Sequence, residues 1–141
     1  MTEDKLSDLG ALILRVGLGI VFIAHGQLKV FVFGLPHAAE VFIGHGVPGW
    51  TAAPVAFIEI VGGTMLILGL GARLVSPLLF CVGFGAGWVH IQNGWNYTSP
   101  PNGGWEYGMF LAVAAAAVTF LGPGSFTLSN FIARLKNRKS T

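Results

Sequence analysis

The residues of this chain that could do chemistry are the ionisable side chains inside its long apolar runs. They are Arg15, His25, Lys29, Glu59, His90 and Glu106. A charged group within a membrane-spanning segment costs about 2.5 to 3.5 kcal/mol on insertion scales, so each one calls for a partner or a task. A carboxyl group in apolar surroundings can hold a proton near neutral pH, which suits proton transfer or ligand binding inside a bilayer.

The helical spacing of these residues predicts that they face the interior of a helix bundle, beside unfilled space. Arg15, His25 and Lys29 project within about 80° of one another at 100° per residue, so they share one helix face. Glu59 is followed at i+3 and i+4 by Gly62 and Gly63, which removes side-chain bulk beside its carboxylate. We therefore predict room next to an acid in the bundle interior.

Most of these residues are also predicted to lie at a similar depth in the bilayer. Counted at about 1.5 Å per residue from the outer ends of the apolar runs, five of the six fall in the outer half of the bilayer, and only Arg15 falls in the inner half. The five residues predicted to form one outer-half layer are His25, Lys29, Glu59, His90 and Glu106.

This layer has two interpretations. In the first it is a ligand or proton site, with Glu59 and His25 as the acid–base groups. In the second, Glu59 pairs with Lys29 or His25 and only sets the helix register, as intramembrane ion pairs also do. Arg15 can likewise be explained by snorkelling to headgroups, and Glu106 by the preference of acids for a helix N-terminus.

The elements that must position these residues are transmembrane helices. Of the 141 residues 53% are hydrophobic and only 10% are charged, and the mean hydropathy is +0.70, outside the usual composition of soluble domains. A spanning helix needs about 20 largely apolar residues. We predict an all-α, integral membrane four-helix bundle that forms a single domain over 1–141, with spans at about 9–33, 52–70, 74–91 and 105–121 and a basic tail over 122–141.

The basic residues predict the orientation of this bundle. Cytoplasmic flanks carry the excess of Lys and Arg, and seven of the eight such residues fall on one side, Lys29 being the exception. The seven are Lys5, Arg15, Arg73, Arg134, Lys136, Arg138 and Lys139. Both chain ends are therefore predicted to be cytoplasmic, with the longer segments 34–51 and 92–104 outside.

Several function classes are disfavoured by the same sequence. The net charge of +2 comes mostly from the tail, which we interpret as topology and attraction to anionic lipid rather than nucleic-acid binding. His37, Glu40 and His45 follow no established ligand spacing, so we predict no metal site. The chain has one cysteine and no haem, flavin or nicotinamide motif.

Read together, several segments resemble the DoxX family of small four-helix membrane proteins. The segments are LILRVGLGIVFIAHGQLKV, GVPGWTAAPVAFIEIVGGTMLILGLGAR, VHIQNG, NGGWEYG and LGPGSFTLSN. Their most specific elements are Arg15 with His25-Gly26 and Lys29, then Glu59 with Gly62-Gly63, then His90 and Glu106. The similarity covers nearly the whole chain. The chain resembles the shorter members of the family.

The resemblance implies a multi-pass protein of a prokaryotic inner membrane that works with an oxidoreductase and the quinone pool, as in the large subunit of thiosulfate:quinone oxidoreductase. Glu59 and His25 would supply protons to a bound quinone, and Lys29 or Arg15 would stabilise a developing anion. His90 and Glu106 would complete the ligand site. A partner subunit would oxidise the donor substrate, and a homo-oligomer is compatible with the pattern. Two alternatives stay open: a non-catalytic anchor or assembly subunit, and a binder or carrier of a small lipophilic or anionic molecule.

Overall fold

The structure, a computed structural model, describes residues 2–96, 98 and 103–138, and all the regular secondary structure in these residues is helical. The α-helices are α1 (Glu3–Gln27), α2 (Leu35–Gly44), α3 (Ala52–Leu68), α4 (Ala72–Val89), α5 (Glu106–Leu121) and α6 (Leu128–Arg138). A π-helical turn at Leu28–Val32 continues α1, and short 3₁₀ turns precede α3 and follow α4. The predicted all-α class is confirmed.

Among the described residues, three helical segments are long and apolar enough to cross a membrane: Glu3–Val32, Gly49–Leu68 and Ala72–Val89. They coincide with the first three predicted spans. The fourth predicted span is the apolar helix α5, which has 16 residues and extends about 24 Å at 1.5 Å per residue, less than the bilayer core of about 30 Å.

Two segments outside the predicted spans are also helical. The predicted outer loop at 34–51 contains α2, whose first turn holds Pro36, where the missing backbone N–H leaves no hydrogen bond unmade. The predicted basic tail contains α6. Lys139 of that tail, and residues 97 and 99–102 of the other predicted outer segment, lie outside the described residues.

The bundle is built from two closely packed helix pairs, α1 with α3 and α4 with α5. At the first crossing a Cβ added to Gly19 would lie 2.6 Å from the carbonyl oxygen of Gly63, and one added to Gly63 would lie 2.6 Å from that of Gly19. At the second crossing a Cβ on Gly108 would lie 2.4 Å from the backbone nitrogen of Gly87. Only glycine permits such backbone approach.

A single apolar core joins the two pairs. Its largest buried side chains are Leu18, Phe22, Leu66, Val75, Leu79, Leu111 and Val118. They come from α1, α3, α4 and α5, so the four apolar helices form one packed unit.

The glycine crossing of α1 and α3 gives a first prediction. Gly19→Ala should lower the stability of the purified protein by about 1 to 3 kcal/mol, because the added methyl group has no space. Gly17→Ala is the matched control, since a Cβ at Gly17 meets no atom within 4 Å and alanine favours a helix by up to about 1 kcal/mol. Thermal unfolding in detergent measures both. Equal midpoints for the two variants would contradict the close crossing.

Candidate functional site

The centre of the candidate site is a buried ion pair between α1 and α3. The Lys29 ammonium lies 2.8 Å from each carboxylate oxygen of Glu59, and the two side chains are only 18% and 5% exposed. Gly26 makes this possible, since a Cβ there would lie 3.1 Å from the Cβ of Glu59 and 2.9 Å from the carbonyl oxygen of Ala56. The close backbones therefore bring the carboxylate within reach of Lys29.

Lys29 lies in the π-helical turn that continues α1. π-helical turns are rare in proteins, but those that occur are often found at functional sites. The added residue changes the direction in which the side chains point. The Lys29 ammonium also donates to the carbonyl oxygen of His25 at 3.4 Å. The ammonium is thus held by one carboxylate and by the chain's own backbone.

His25 lies one turn before Lys29 and faces α5. Its Nδ1 is 2.9 Å from the carbonyl oxygen of Val21. A carbonyl oxygen can only accept a hydrogen bond, so Nδ1 is the donor. The other ring nitrogen, Nε2, takes no part in this hydrogen bond. The ring stacks on that of Tyr107 with centroids 5.7 Å apart.

His90 follows the last residue of α4 and is held by the outer segments of the chain. Asn93 Nδ2 lies 3.2 Å from Nδ1 of His90 and donates to the carbonyl oxygen of Gly103 at 3.0 Å. The ring of His45 meets that of His90 edge-on at 4.9 Å. Burial, with a smaller effect of the neighbouring His45, lowers the pKa of His90.

One cavity of about 240 Å³ brings four of the five outer-layer residues together. His25, Lys29, Glu59 and His90 all line it. The remaining walls are the rings of Phe22 and Tyr107, the side chains of Ala86 and Leu111, and the glycines at 83, 103, 104 and 108. The polar groups are thus gathered at a space bounded mostly by apolar atoms and backbone.

A second, apolar groove of about 280 Å³ lies between the end of α1 and α2. It shares His25 and Lys29 with the first cavity. Its other walls are Leu28, Phe33, His37, Ala38, Val41 and Phe42. Two of the predicted site residues, His25 and Lys29, therefore lie between this groove and the cavity that contains Glu59.

Glu106 is not part of this cavity. As the first residue of α5 it lines a separate cavity of about 370 Å³ with Trp95, Tyr107 and Phe110. Tyr107, its neighbour in the chain, lines both cavities. The structure thus places Glu106 beside the predicted layer, at an N-terminal helix position that suits an acid.

Arg15 lies far from the cavity, about 21 Å from Lys29 along α1. It is fully buried, and its guanidinium donates to the carbonyl oxygens of Leu66, Ile67, Pro123 and Phe126. The first two are carbonyls in the last turn of α3, where the helix dipole favours a cation. Arg15 therefore ties the end of α3 to the segment that follows α5.

Sequence reasoning missed two polar residues around the cavity, Tyr107 and Asn93. Tyr107 stacks on His25, and Asn93 orients His90. Tyr107 directly follows the predicted site residue Glu106, and Asn93 lies three residues after His90, each at the end of an apolar run. From the sequence alone, a polar residue at a helix end is interpreted as an ordinary boundary residue. Its contact with another helix is known only from the structure.

Comparison with known proteins places the chain in a family. A sequence model of DoxX matches residues 10–92, more than half of the chain. The chain belongs to the DoxX family. This confirms the resemblance inferred from the sequence, and with the apolar helices it makes the DoxX chain a multi-pass membrane protein.

A relative carries a name that bears on function. The DoxX chain is 35% identical over 83 residues to the Bacillus subtilis (strain 168) protein named "Putative oxidoreductase CatD". The alignment covers 59% of the DoxX chain and 60% of that protein. No solved structure matches the chain.

The contacts of Arg15 give a second prediction. Arg15→Lys should destabilise the protein by about 2 to 4 kcal/mol, because a single ammonium cannot reach four separate carbonyl oxygens and each lost charged hydrogen bond costs about 1.5 to 3 kcal/mol. Thermal unfolding in detergent checks this. The exposed Arg134 on α6 offers the control variant Arg134→Lys, which should leave the midpoint within a degree or so. An unaltered midpoint in Arg15→Lys would refute the clamp.

Proposed function

We propose that this protein is the membrane subunit of an oxidoreductase system and passes electrons from a partner's substrate to the quinone pool. The observation that carries the proposal is the cavity beside the buried Lys29–Glu59 pair, which shares His25 and Lys29 with an apolar groove. Membership of the DoxX family and the name of the Bacillus subtilis relative support the association with an oxidoreductase.

The dimensions and lining of the two spaces suit a quinone. A cavity of about 150 Å³ holds benzene, so about 240 Å³ has room for a substituted quinone ring, and the apolar groove suits the start of an isoprenoid tail. Reduction of a quinone to a quinol takes two electrons and two protons. The partner subunit would supply the electrons.

The chain's own residues would then manage protons and charge. Glu59 and His25 are the acid–base groups, since both line the cavity and both lie within the span of their helices. Lys29 is placed to stabilise negative charge that develops on a quinone oxygen. His90 is a further hydrogen-bonding group at the outer end of the same cavity.

Two observations favour the other functions. The two equal 2.8 Å contacts of Lys29 with Glu59 are what a register-setting ion pair would show, which suits an anchor or assembly subunit. Gly103 and Gly104, which precede α5, line the cavity on its outer side, which suits entry of a small polar or anionic ligand. The experiment on Glu59 below separates the first of these from quinone chemistry.

We further propose that α5 is a fourth crossing and that both chain ends are cytoplasmic, in a prokaryotic inner membrane. Arg15 contacts the end of α3 and residues just after α5, so these segments lie at one end of the bundle, whereas His90 and the start of α5 lie near the other. Helix α5 therefore extends from one end of the bundle to the other. Among the described basic residues, Arg73 and Arg134 lie at the Arg15 end of the bundle, whereas Lys29 lies near the other end.

Cysteine labelling tests this orientation. In a Cys81→Ala background, a cysteine at position 98 should react with a membrane-impermeant maleimide applied to intact cells, and a cysteine at position 136 should react only after the membrane is opened. The basic tail keeps position 136 on the cytoplasmic side. The reverse pattern would overturn the proposed topology.

Quinone chemistry predicts a specific effect of removing the Glu59 proton. Glu59→Gln should insert but lose stability, because the Lys29 ammonium loses its counter-charge, and it should lower quinone-linked turnover per assembled complex about 10²- to 10⁴-fold, the effect of removing a positioned acid–base group. Turnover is measured in membranes that contain the partner, and stability is measured on the same preparation after extraction. Glu40→Gln is the control, since the side chain of Glu40 is 78% exposed on α2.

The outcomes of this experiment are separable. Normal turnover in a stable, inserted Glu59→Gln protein would exclude the catalytic role. A large loss of stability or of partner assembly, with turnover per assembled complex unchanged, would instead favour the anchor function.

A further inference from the structure

Helix α6 presents an apolar face that no described part of the chain covers. Its four large apolar residues recur at i, i+3, i+4 and i+7, so they lie on one side of the helix. Their exposed fractions are 38% for Leu128, 58% for Phe131, 54% for Ile132 and 45% for Leu135. The opposite side carries Asn130 and Asn137.

Cations flank this face on both sides. At 100° per residue, Arg134 lies about 60° from Phe131 on one side of the apolar face, and Lys136 lies about 40° from Ile132 on the other. Long basic side chains at the edges of an apolar face let a helix lie in a membrane surface, because their stems cover apolar area while their charges reach the headgroups.

A groove of about 380 Å³ lies between α6 and the end of α3. Ile67 and Leu68 form one wall, Phe126 and Phe131 form others, and Arg134 is at the basic edge. Arg15 donates to the carbonyl oxygens of Ile67 and Phe126 from the bundle interior, so one buried residue fixes two of the walls. The walls of the groove are therefore held in place by contacts at this end of the bundle.

We infer that α6 lies in the plane of the membrane surface and that this groove binds an anionic phospholipid. An acyl chain would lie against Ile67, Leu68 and Phe131, and the phosphate would lie at Arg134. Lipid is favoured over a protein partner because α6 lines this groove with Ile67 and Leu68, the last residues of a helix long and apolar enough to cross the membrane, so its apolar face lies at the end of that span. The positive charges complement anionic headgroups. The inference does not depend on quinone chemistry.

Native mass spectrometry of the full chain tests the lipid preference. The protein is reconstituted in equimolar phosphatidylglycerol and phosphatidylcholine and released with its bound lipids. Phosphatidylglycerol should be enriched several-fold among them, and Arg134→Gln should reduce that enrichment about fivefold, the effect of one basic residue at an anionic surface. Lys5→Gln, which removes an exposed charge at the same end of the bundle, should leave the enrichment unchanged.

Either of two results would overturn the proposed site. One is the absence of enrichment in the parent protein. The other is an equal loss in Arg134→Gln and Lys5→Gln, which would show attraction to the general surface charge. Arg134 is exposed, so the variant should fold, and its thermal midpoint verifies this.

The position of α6 is tested separately. In the Cys81→Ala chain, an environment-sensitive fluorophore on a cysteine at position 132 should be quenched by nitroxide-labelled lipid, whereas one at position 137 should remain in water. Equal quenching at both positions would show that α6 does not lie in the membrane surface.

Discussion

The structure depends first on the close approach of α1 and α3. In a bilayer no hydrophobic force pulls two apolar helices together, so their association relies on contact between backbones and small residues. The two helix backbones are very close at Gly19, Gly26 and Gly63. A methyl group added to any of these residues would lie within 3 Å of an atom of the facing helix. That distance also lets Lys29 reach Glu59 and gives the candidate site its charged wall.

Arg15 in α1 and Lys29 in the π-helical turn that follows it are stabilised inside the bundle in different ways. Lys29 is neutralised by a carboxylate, and this pair borders a cavity. Arg15 contacts four backbone carbonyl oxygens instead. A guanidinium has five N–H donors in a fixed planar arrangement, which suits several acceptors in different directions. The C-terminal end of α1 therefore has a cavity beside it, and at the middle of α1 the Arg15 side chain joins α3 to the segment before α6.

The sequence predicted much of this arrangement because membrane helices follow strong rules. Apolar length located three spanning segments and α5, and helical spacing grouped His25, Lys29, Glu59 and His90, which the structure brings to one cavity. The contacts of Arg15 were beyond prediction, since its acceptors are carbonyls at positions 66, 67, 123 and 126, and every residue has a carbonyl. Helix α2 was missed because its glycine- and proline-containing surroundings are typical of a loop.

The π-helical turn at Leu28–Val32 gives the chain a sensitivity to length that no substitution would reveal. A π-helix accommodates one residue more than an α-helix over the same rise. Deleting one residue there would allow ordinary α-helical winding over the same rise, so the chain beyond the turn would keep nearly the same direction while the side chains within the turn would move to other helix faces. The faces that these side chains present to the cavity and to the apolar groove are therefore determined by the number of residues in the turn as much as by their identity.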